Sequence, residues 1–252
     1  MLAHYDLSNK KVLVTGGASG IGLGTVDAFL RCGAAVAIND LPGEKLDNLV
    51  ARLTADGHRV IAAPGNVGEA DAAADMVKTA IAQLDGLDYL INNAGTPGTS
   101  TPIPAGDFER QTESFWELLL NVNLLGPFRC TRAAADTLRA ARGAVVNTAS
   151  IAAFGGGGSS APYCATKAGL VSLTREWARA LAPEVRVNAI APGLVDSDWM
   201  CRFDESGLGA TDNIPLQREG TPQDYAEVIL FLAAGADYIS GQTLTVDGGL
   251  TI

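Results

Sequence analysis

Tyr163 and Lys167 lie four residues apart in a stretch whose pattern predicts a helix over 162–182, so both side chains project from one face. Pro162 suits the first helical turn, and Ser159 and Ser160 stand where a cap is needed. An ammonium beside a phenol favours the phenolate. Moving a tyrosine from about 10 towards 7 takes roughly 4 kcal/mol of differential interaction, to which a neighbouring cation contributes. Such a phenol is a proton carrier near neutral pH. Ser150 precedes Tyr163 by 13 residues and ends a predicted strand. Its hydroxyl either holds a substrate oxygen or satisfies the strand end. Asn123 is a poor helix former inside a predicted helix over 112–140. Taken alone, Tyr-x-x-x-Lys is common by chance, and each of these residues also has an ordinary structural reading.

The run Thr15-Gly16-Gly17-Ala18-Ser19-Gly20-Ile21-Gly22 follows the apolar Lys11-Val12-Leu13-Val14 and precedes an amphipathic stretch. A strand, a glycine turn and a helix start bring backbone N–H groups and the helix dipole towards a pyrophosphate. Asp40 ends the next apolar strand, 18 residues beyond Gly22. A carboxylate about 20 residues past the turn is placed to accept the ribose hydroxyls and to repel a 2′-phosphate. Leu41 follows it, and residues 17–19 contain no lysine or arginine, so NAD is the expected cofactor. Asn92-Asn93-Ala94-Gly95 leaves another apolar strand in a turn.

The elements that must carry these residues alternate. Strands are predicted over 11–15, 34–39, 58–63, 87–91, 143–149, 185–190 and 242–246, and helices over 20–32, 43–56, 69–84, 112–140, 162–182 and 221–234. Continuous apolar strands suit a parallel sheet covered on both faces. The fold class is therefore α/β: a single-domain, Rossmann-like, doubly wound parallel sheet of about seven strands over residues 1–252, with helices on both faces. Ligands bind such sheets beyond the carboxyl ends of the strands, where the candidate residues fall. Phe154 to Ser160 is glycine-rich but too short and central to divide domains. The irregular segment 194–214 is expected to be a substrate lid, with Trp199, Met200 and Phe203 covering an apolar body. Its cation, Arg202, has Asp198, Asp204 and Glu205 nearby, so a mainly neutral substrate is expected.

Composition narrows the function class. The 252 residues are 47% hydrophobic and carry a net charge of −10, which disfavours nucleic acid and anionic membranes as partners. Cys32, Cys130, Cys164 and Cys201 show no C-x-x-C spacing, and His4 and His58 are far apart, so no metal site is expected. Cys164 is read as packing. Free thiols, an N-terminus unlike a signal peptide and the lack of an apolar run of about 20 residues predict a cytoplasmic protein.

Taken together, the chain resembles the short-chain dehydrogenase/reductase family over nearly its full length. Thr15-Gly16-x-x-x-Gly20-x-Gly22 is similar to its nucleotide fingerprint, Asn92-Asn93-Ala94-Gly95 to its strand-four motif, Pro192-Gly193 to its nicotinamide-side turn and Val246-Asp247-Gly248-Gly249 to its last strand. Asn123, Ser150, Tyr163 and Lys167 follow the order and spacing of its catalytic tetrad. The resemblance implies hydride transfer between a nicotinamide and a secondary alcohol or ketone. Tyr163 is then the general acid/base, and Lys167 lowers its pKa and holds the nicotinamide ribose. Ser150 holds the substrate oxygen, and Asn123 holds a water that relays protons. The pyrophosphate end falls on Gly16, Ser19, Gly20, Ile21 and Gly22, and the adenosine end on Asp40, Asn66 and Val67. The nicotinamide end falls on Asn93, Ala94, Gly95, Pro192, Gly193, Val195 and Ser197, besides Tyr163 and Lys167. Two positions depart from the family pattern. Asn66 replaces the usual Asp near the adenine amino group, and Ser197 replaces the usual Thr at the carboxamide; both keep an acceptor or a hydroxyl. The family also implies a homotetramer, with helices 112–140 and 162–182 pairing across one two-fold axis through residues such as Ala133, Ala134, Ala168, Leu170 and Leu173, and the last strand and helix pairing across another. Two other readings remain: a 3-oxoacyl-[acyl-carrier-protein] reductase, with Arg139 and Arg142 as candidates to meet an acidic carrier, and a non-catalytic dinucleotide sensor.

Overall fold

The computed structural model describes residues 5–155, 157–197 and 211–252. Seven parallel strands form one sheet: β1 (Lys11–Val14), β2 (Ala35–Asp40), β3 (Val60–Pro64), β4 (Tyr89–Asn92), β5 (Ala144–Thr148), β6 (Arg186–Pro192) and β7 (Thr243–Val246), in the order β3-β2-β1-β4-β5-β6-β7. Side chains alternate across the strands, and both faces are covered. Val12, Val14, Ile38, Ile91 and Val146 pack on one face beneath α1 (Gly20–Arg31), α2 (Glu44–Ala55) and α8 (Pro222–Leu230). Leu13, Ala37, Leu90, Val145 and Val187 pack on the other beneath α3 (Ala70–Leu84), α5 (Gly126–Ala141) and α7 (Ala161–Leu181). Burial on both faces explains why these strands are apolar runs rather than alternating ones. Each fully buried Val, Leu or Ile contributes roughly 1.5–3 kcal/mol.

The chain runs outward from β1 through β2 to β3 and then returns to β4 on the other side of β1, so the connections after β1 and β4 leave in opposite directions. The cleft described below lies at that switch point, beyond the carboxyl ends of the strands.

Three elements differ from expectation. The helix expected over 112–140 is two helices, α4 (Glu113–Leu119) and α5, joined by a π-turn over Leu120–Leu125 that contains Asn123. A π-turn widens the helix by one residue and frequently sits at functional sites. Periodicity alone does not reveal it, because the apolar residues on either side keep helical spacing. The last predicted helix likewise ends in a π-turn, Phe231–Gly235. A one-turn helix, α6 (Ala152–Gly155), follows Ser150.

The helix faces also correct one expectation. Ala134 and Leu170 are sealed in the core at 0% and 1% exposure, whereas Ala133 and Leu173 are half-buried and Ala168 is exposed. The large apolar side chains that α4, its π-turn and α5 present outward are Leu118, Leu125 and Phe128. Trp199, Met200, Cys201, Arg202 and Phe203, with Asp198, Asp204 and Glu205, lie outside the described residues. No described helix is long and apolar enough to cross a membrane. Among the described residues no His, Cys, Asp and Glu group could hold a metal.

Candidate active site

The cleft at the carboxyl ends of the strands has a volume of about 660 Å3. At one end lies the glycine turn. Thr15 Oγ1 accepts from the backbone N–H groups of Asn93 and Ala94, both at 3.0 Å. Asn93 Nδ2 donates to the carbonyls of Thr15 and Gly16, both at 3.1 Å. The turns after β1 and β4 are thereby locked together. Gly16 has φ +62°, and a Cβ there would stand 2.9 Å from the Ala94 Cα. At Gly22 a Cβ would stand 2.0 Å from the Gly16 carbonyl oxygen. Only glycine lets these backbones meet. Ser19 is the N-cap of α1, yet its side chain makes no capping bond. The first-turn N–H groups therefore have no capping hydroxyl, and Ser19, Gly20 and Ile21 line the cleft. This cradle fits a pyrophosphate.

Asp40 closes the far end. Its carboxylate accepts from the N–H groups of Ala18 at 3.1 Å and Leu41 at 2.9 Å, which fixes it at the end of β2. Asn66 and Val67 line the same end. Asn66 Oδ1 accepts from Gly68 N at 2.9 Å, and its amide donates to Glu69. The carbonyl oxygen keeps one lone pair for a ligand amine.

The opposite end collects the candidate acid/base groups. Ser160 caps α7 by accepting from Tyr163 N at 3.2 Å, which starts the helix so that Tyr163 is in its first turn. Tyr163 is hydrogen-bonded to the Ser150 hydroxyl, which comes from the loop after β5. Lys167, one turn on, is 3% exposed. Its ammonium donates to the Thr148 carbonyl at 2.8 Å and lies 5.7 Å from the Tyr163 ring centre. Depth is set from behind. Asn92 Nδ2 donates to Asn147 Oδ1 and Asn147 Nδ2 to Thr174 Oγ1, both at 2.9 Å, which ties β4 and β5 to α7. Buried amides of this kind cost about 1–3 kcal/mol when left without partners, so they fix the register of the elements they join.

Burial dominates the electrostatics. It pushes the Tyr163 phenol up to about 12, with the Ser150 hydrogen bond pulling it partly back. It pushes Lys167 down to about 8. The expectation that Lys167 lowers the tyrosine is thus not met by the protein alone. Its ammonium is itself desolvated and is bonded to the Thr148 carbonyl.

Gly193 receives its partner from β7: its N–H donates to Val246 O at 2.9 Å, and a Cβ on it would stand 2.7 Å from the Asp247 Cβ. Val195 forms a bridge to Gly220, and Ser197 faces Gly20 across the glycine turn. Every proposed site residue lines the cleft except two. Gly22 sits behind Gly16, where the Gly16 carbonyl leaves no room for a side chain. Asn123 is fully buried, with its side-chain oxygen accepting from Thr96 N at 2.8 Å and its amide donating to Thr96 O at 2.9 Å.

A family model described as enoyl-(acyl carrier protein) reductase matches residues 16–251. The chain belongs to the short-chain dehydrogenase/reductase family. It is an oxidoreductase of that family, and its fold is the family's fold. It is 35% identical over 250 residues to the 3-oxoacyl-[acyl-carrier-protein] reductase FabG of Thermotoga maritima, covering 98% of this chain and 99% of that one. It is 37% identical over 252 residues to the (2S)-[(R)-hydroxy(phenyl)methyl]succinyl-CoA dehydrogenase subunit BbsD of Thauera aromatica, covering 98% of both. A short-chain dehydrogenase of Burkholderia cenocepacia solved in complex with NADP superposes with a TM-score of 0.86 at 31% identity, covering 98% of this chain and 100% of that one.

Within this short-chain dehydrogenase/reductase cleft, sequence reasoning missed Lys45. Its side chain lines the wall with Asp40 and Leu41, and it makes no ion pair with a described residue. The signal was available: the turn from β2 into α2 is short, so the first turn of α2 stays near the strand end. Thr96, Pro97, Leu118, Val122, Ile151 and Leu194 also line the cleft and come from loops and helix ends without a readable motif. Leu194 is held by the Tyr225 hydroxyl, which donates to its carbonyl at 2.6 Å.

Proposed function

We propose that this protein is an NAD-dependent alcohol dehydrogenase acting on a small or medium, mainly neutral secondary alcohol or its ketone. The observation that carries this reading is the convergence of Ser150, Tyr163 and Lys167 on the cleft that the glycine turn opens. The bound dinucleotide supplies the hydride acceptor and a positively charged ring. Tyr163 takes the alcohol proton in oxidation and returns it in reduction. Ser150 positions the substrate oxygen beside the phenol. Lys167, held by Thr148, holds the ribose hydroxyls and adds positive charge below the phenol. Asn123 shapes the wall through Thr96. Its Oδ1 and Nδ2 each make one bond to Thr96 and each keep a second site, so side chain and backbone are both open to a relay water. Around the reacting end, Thr96, Pro97, Leu118, Ile151, Ser159 and Leu194 are all uncharged, which suits a neutral body.

Asp40 supports a preference for NAD(H), because its carboxylate accepts from ribose hydroxyls and repels a 2′-phosphate. Lys45 beside it tempers that repulsion. We expect catalytic efficiency with NAD+ to exceed that with NADP+, and Asp40→Ala to narrow the gap by about tenfold, through loss of about 1.4 kcal/mol of discrimination. Efficiency with NADP+ equal to or above that with NAD+ in the wild type would rule the preference out.

The second reading, a 3-oxoacyl-[acyl-carrier-protein] reductase, is favoured by the name of the Thermotoga relative. The deciding experiment sets neutral secondary alcohols and ketones against 3-oxoacyl thioesters of a carrier protein. Turnover confined to the thioesters replaces the first reading with the second. A chain that binds dinucleotide and turns over neither class supports a sensor.

Assembly is proposed as a homotetramer. Leu118, Leu125 and Phe128 give the α4–α5 face the exposed apolar surface that a partner copy would cover. Light scattering at micromolar concentration is expected to give four times the chain mass. A monomer refutes the assembly, and a dimer refutes one of its two interfaces.

A further inference from the structure

Arg129, in the first turns of α5, makes an unusual set of contacts. Its Nη1 donates to the carbonyls of Val67 at 3.3 Å, Gly68 at 2.8 Å and Asn121 at 3.1 Å. Its Nη2 donates to Asn121 Oδ1 at 2.8 Å. The side chain is half-buried and forms no salt bridge with any described residue. Two segments are held at once: the loop after β3, whose Asn66 and Val67 line the far end of the cleft, and the π-turn that carries Asn121, Val122 and Asn123. Two glycines let them touch. A Cβ on Gly68 would meet Val122 at 3.1 Å, and one on Gly126 would meet Val67 at 3.1 Å. From the π-turn the chain of contacts continues, because Asn123 holds the Thr96 backbone in the wall of the reacting end.

We infer that Arg129 is a positioning residue that fixes the adenosine-side loop and the π-turn as one unit, so that the two ends of the cleft are set together. The inference rests on the dinucleotide reading above. A guanidinium is suited to this task. It is planar, carries five donors in a fixed fork and accepts nothing, so it can satisfy carbonyls from two segments simultaneously. A lysine ammonium ends one bond short of the Nη positions and has no second nitrogen for Asn121 Oδ1, so it cannot keep the whole set. Hydrogen bonds from a charged donor are also the stronger kind, so losing several moves the loops rather than merely loosening them.

The test uses 5′-AMP, which occupies only the adenosine end, together with turnover of a secondary alcohol at saturating NAD+. Arg129→Ala is expected to raise the AMP dissociation constant about tenfold and to lower kcat about tenfold, the size of effect expected for charged hydrogen bonds. Guanidinium chloride at low concentration is expected to restore both. Arg129→Lys keeps the charge and is expected to show most of the same loss, and it carries the test if the alanine variant does not fold. Calorimetry reads the affinity without any catalysis. A variant that melts earlier but keeps the wild-type AMP affinity and kcat makes Arg129 purely structural and overturns the inference. A variant indistinguishable from wild type also overturns it. A wild type that binds neither AMP nor a dinucleotide overturns the dinucleotide reading and this inference with it.

Discussion

Tyr163→Phe is expected to keep dinucleotide affinity within about twofold while lowering kcat by roughly 10²–10⁴, the usual contribution of a positioned general acid or base. The change removes one oxygen and leaves the ring, so the cradle formed by Gly16, Gly20 and Asp40 is untouched. Calorimetric titration with NAD+ and steady-state rates separate the two effects. The pH dependence follows from burial. With the phenol pushed up to about 12, Tyr163 is protonated at neutral pH in the ligand-free protein. Reduction, which needs the proton, is expected to be nearly flat with pH through the neutral range. Oxidation, which needs the phenolate, is expected to rise with pH. Near-normal turnover in the phenylalanine variant would remove Tyr163 from the mechanism.

Lys167→Met is expected to lose activity and gain stability together. The lysine is 3% exposed, and burial moves it from 10.5 down to about 8. That displacement corresponds to roughly 3 kcal/mol against the charged form. The lost bond to Thr148 O offsets about 1 kcal/mol of the relief. The sign is fixed by proton counting. Below pH 8 the lysine is charged in both states, and the full penalty is present. Between about 8 and 10.5 the folded state releases its proton before the unfolded state, so wild-type stability rises with pH. Above that range the penalty is gone. The methionine variant should therefore melt a few degrees higher than wild type near pH 7, with the advantage vanishing above about pH 10.5. Its turnover should fall at least 100-fold. A lower melting temperature at pH 7 would mean that the buried ammonium is stabilising, contrary to this account. In the proposed mechanism the strain serves function: a cation needed at the reacting end is kept in a place where packing alone would choose an apolar side chain.

Much of this architecture is legible in the chain because the physics is local. Apolar runs such as Ala144-Val145-Val146 announce strands buried on both faces. Gly16, Gly20 and Gly22 announce a turn where backbones must approach closely. Tyr163 and Lys167 share a helix face at a spacing of four. What escapes is whatever depends on distant pairing. The π-turn at Leu120–Leu125 arises where Asn123 reaches across to Thr96, a contact 27 residues away in sequence. Lys45 and Arg129 carry no motif; their placement follows from how α2 and α5 sit against strand ends. The raised phenol of Tyr163 is equally non-local, because desolvation depends on everything packed around it. Which apolar residues of α5 and α7 point outward is misjudged for a similar reason. Helical spacing identifies a stripe, but only the packed sheet decides that Ala134 and Leu170 face inward and Phe128 outward.

The central claim is a hydride passed directly from a secondary alcohol to NAD+ with Tyr163 taking the proton. It is tested most directly with neutral secondary alcohols carrying deuterium on the carbinol carbon. Reduced nicotinamide is followed by absorbance, and the label is located in the product by mass spectrometry. The account predicts deuterated NADH from at least one alcohol of the panel with the wild type, and none above background with Tyr163→Phe. Absence of labelled NADH from every alcohol, while the same protein oxidises reduced cofactor with 3-oxoacyl thioesters, would contradict it.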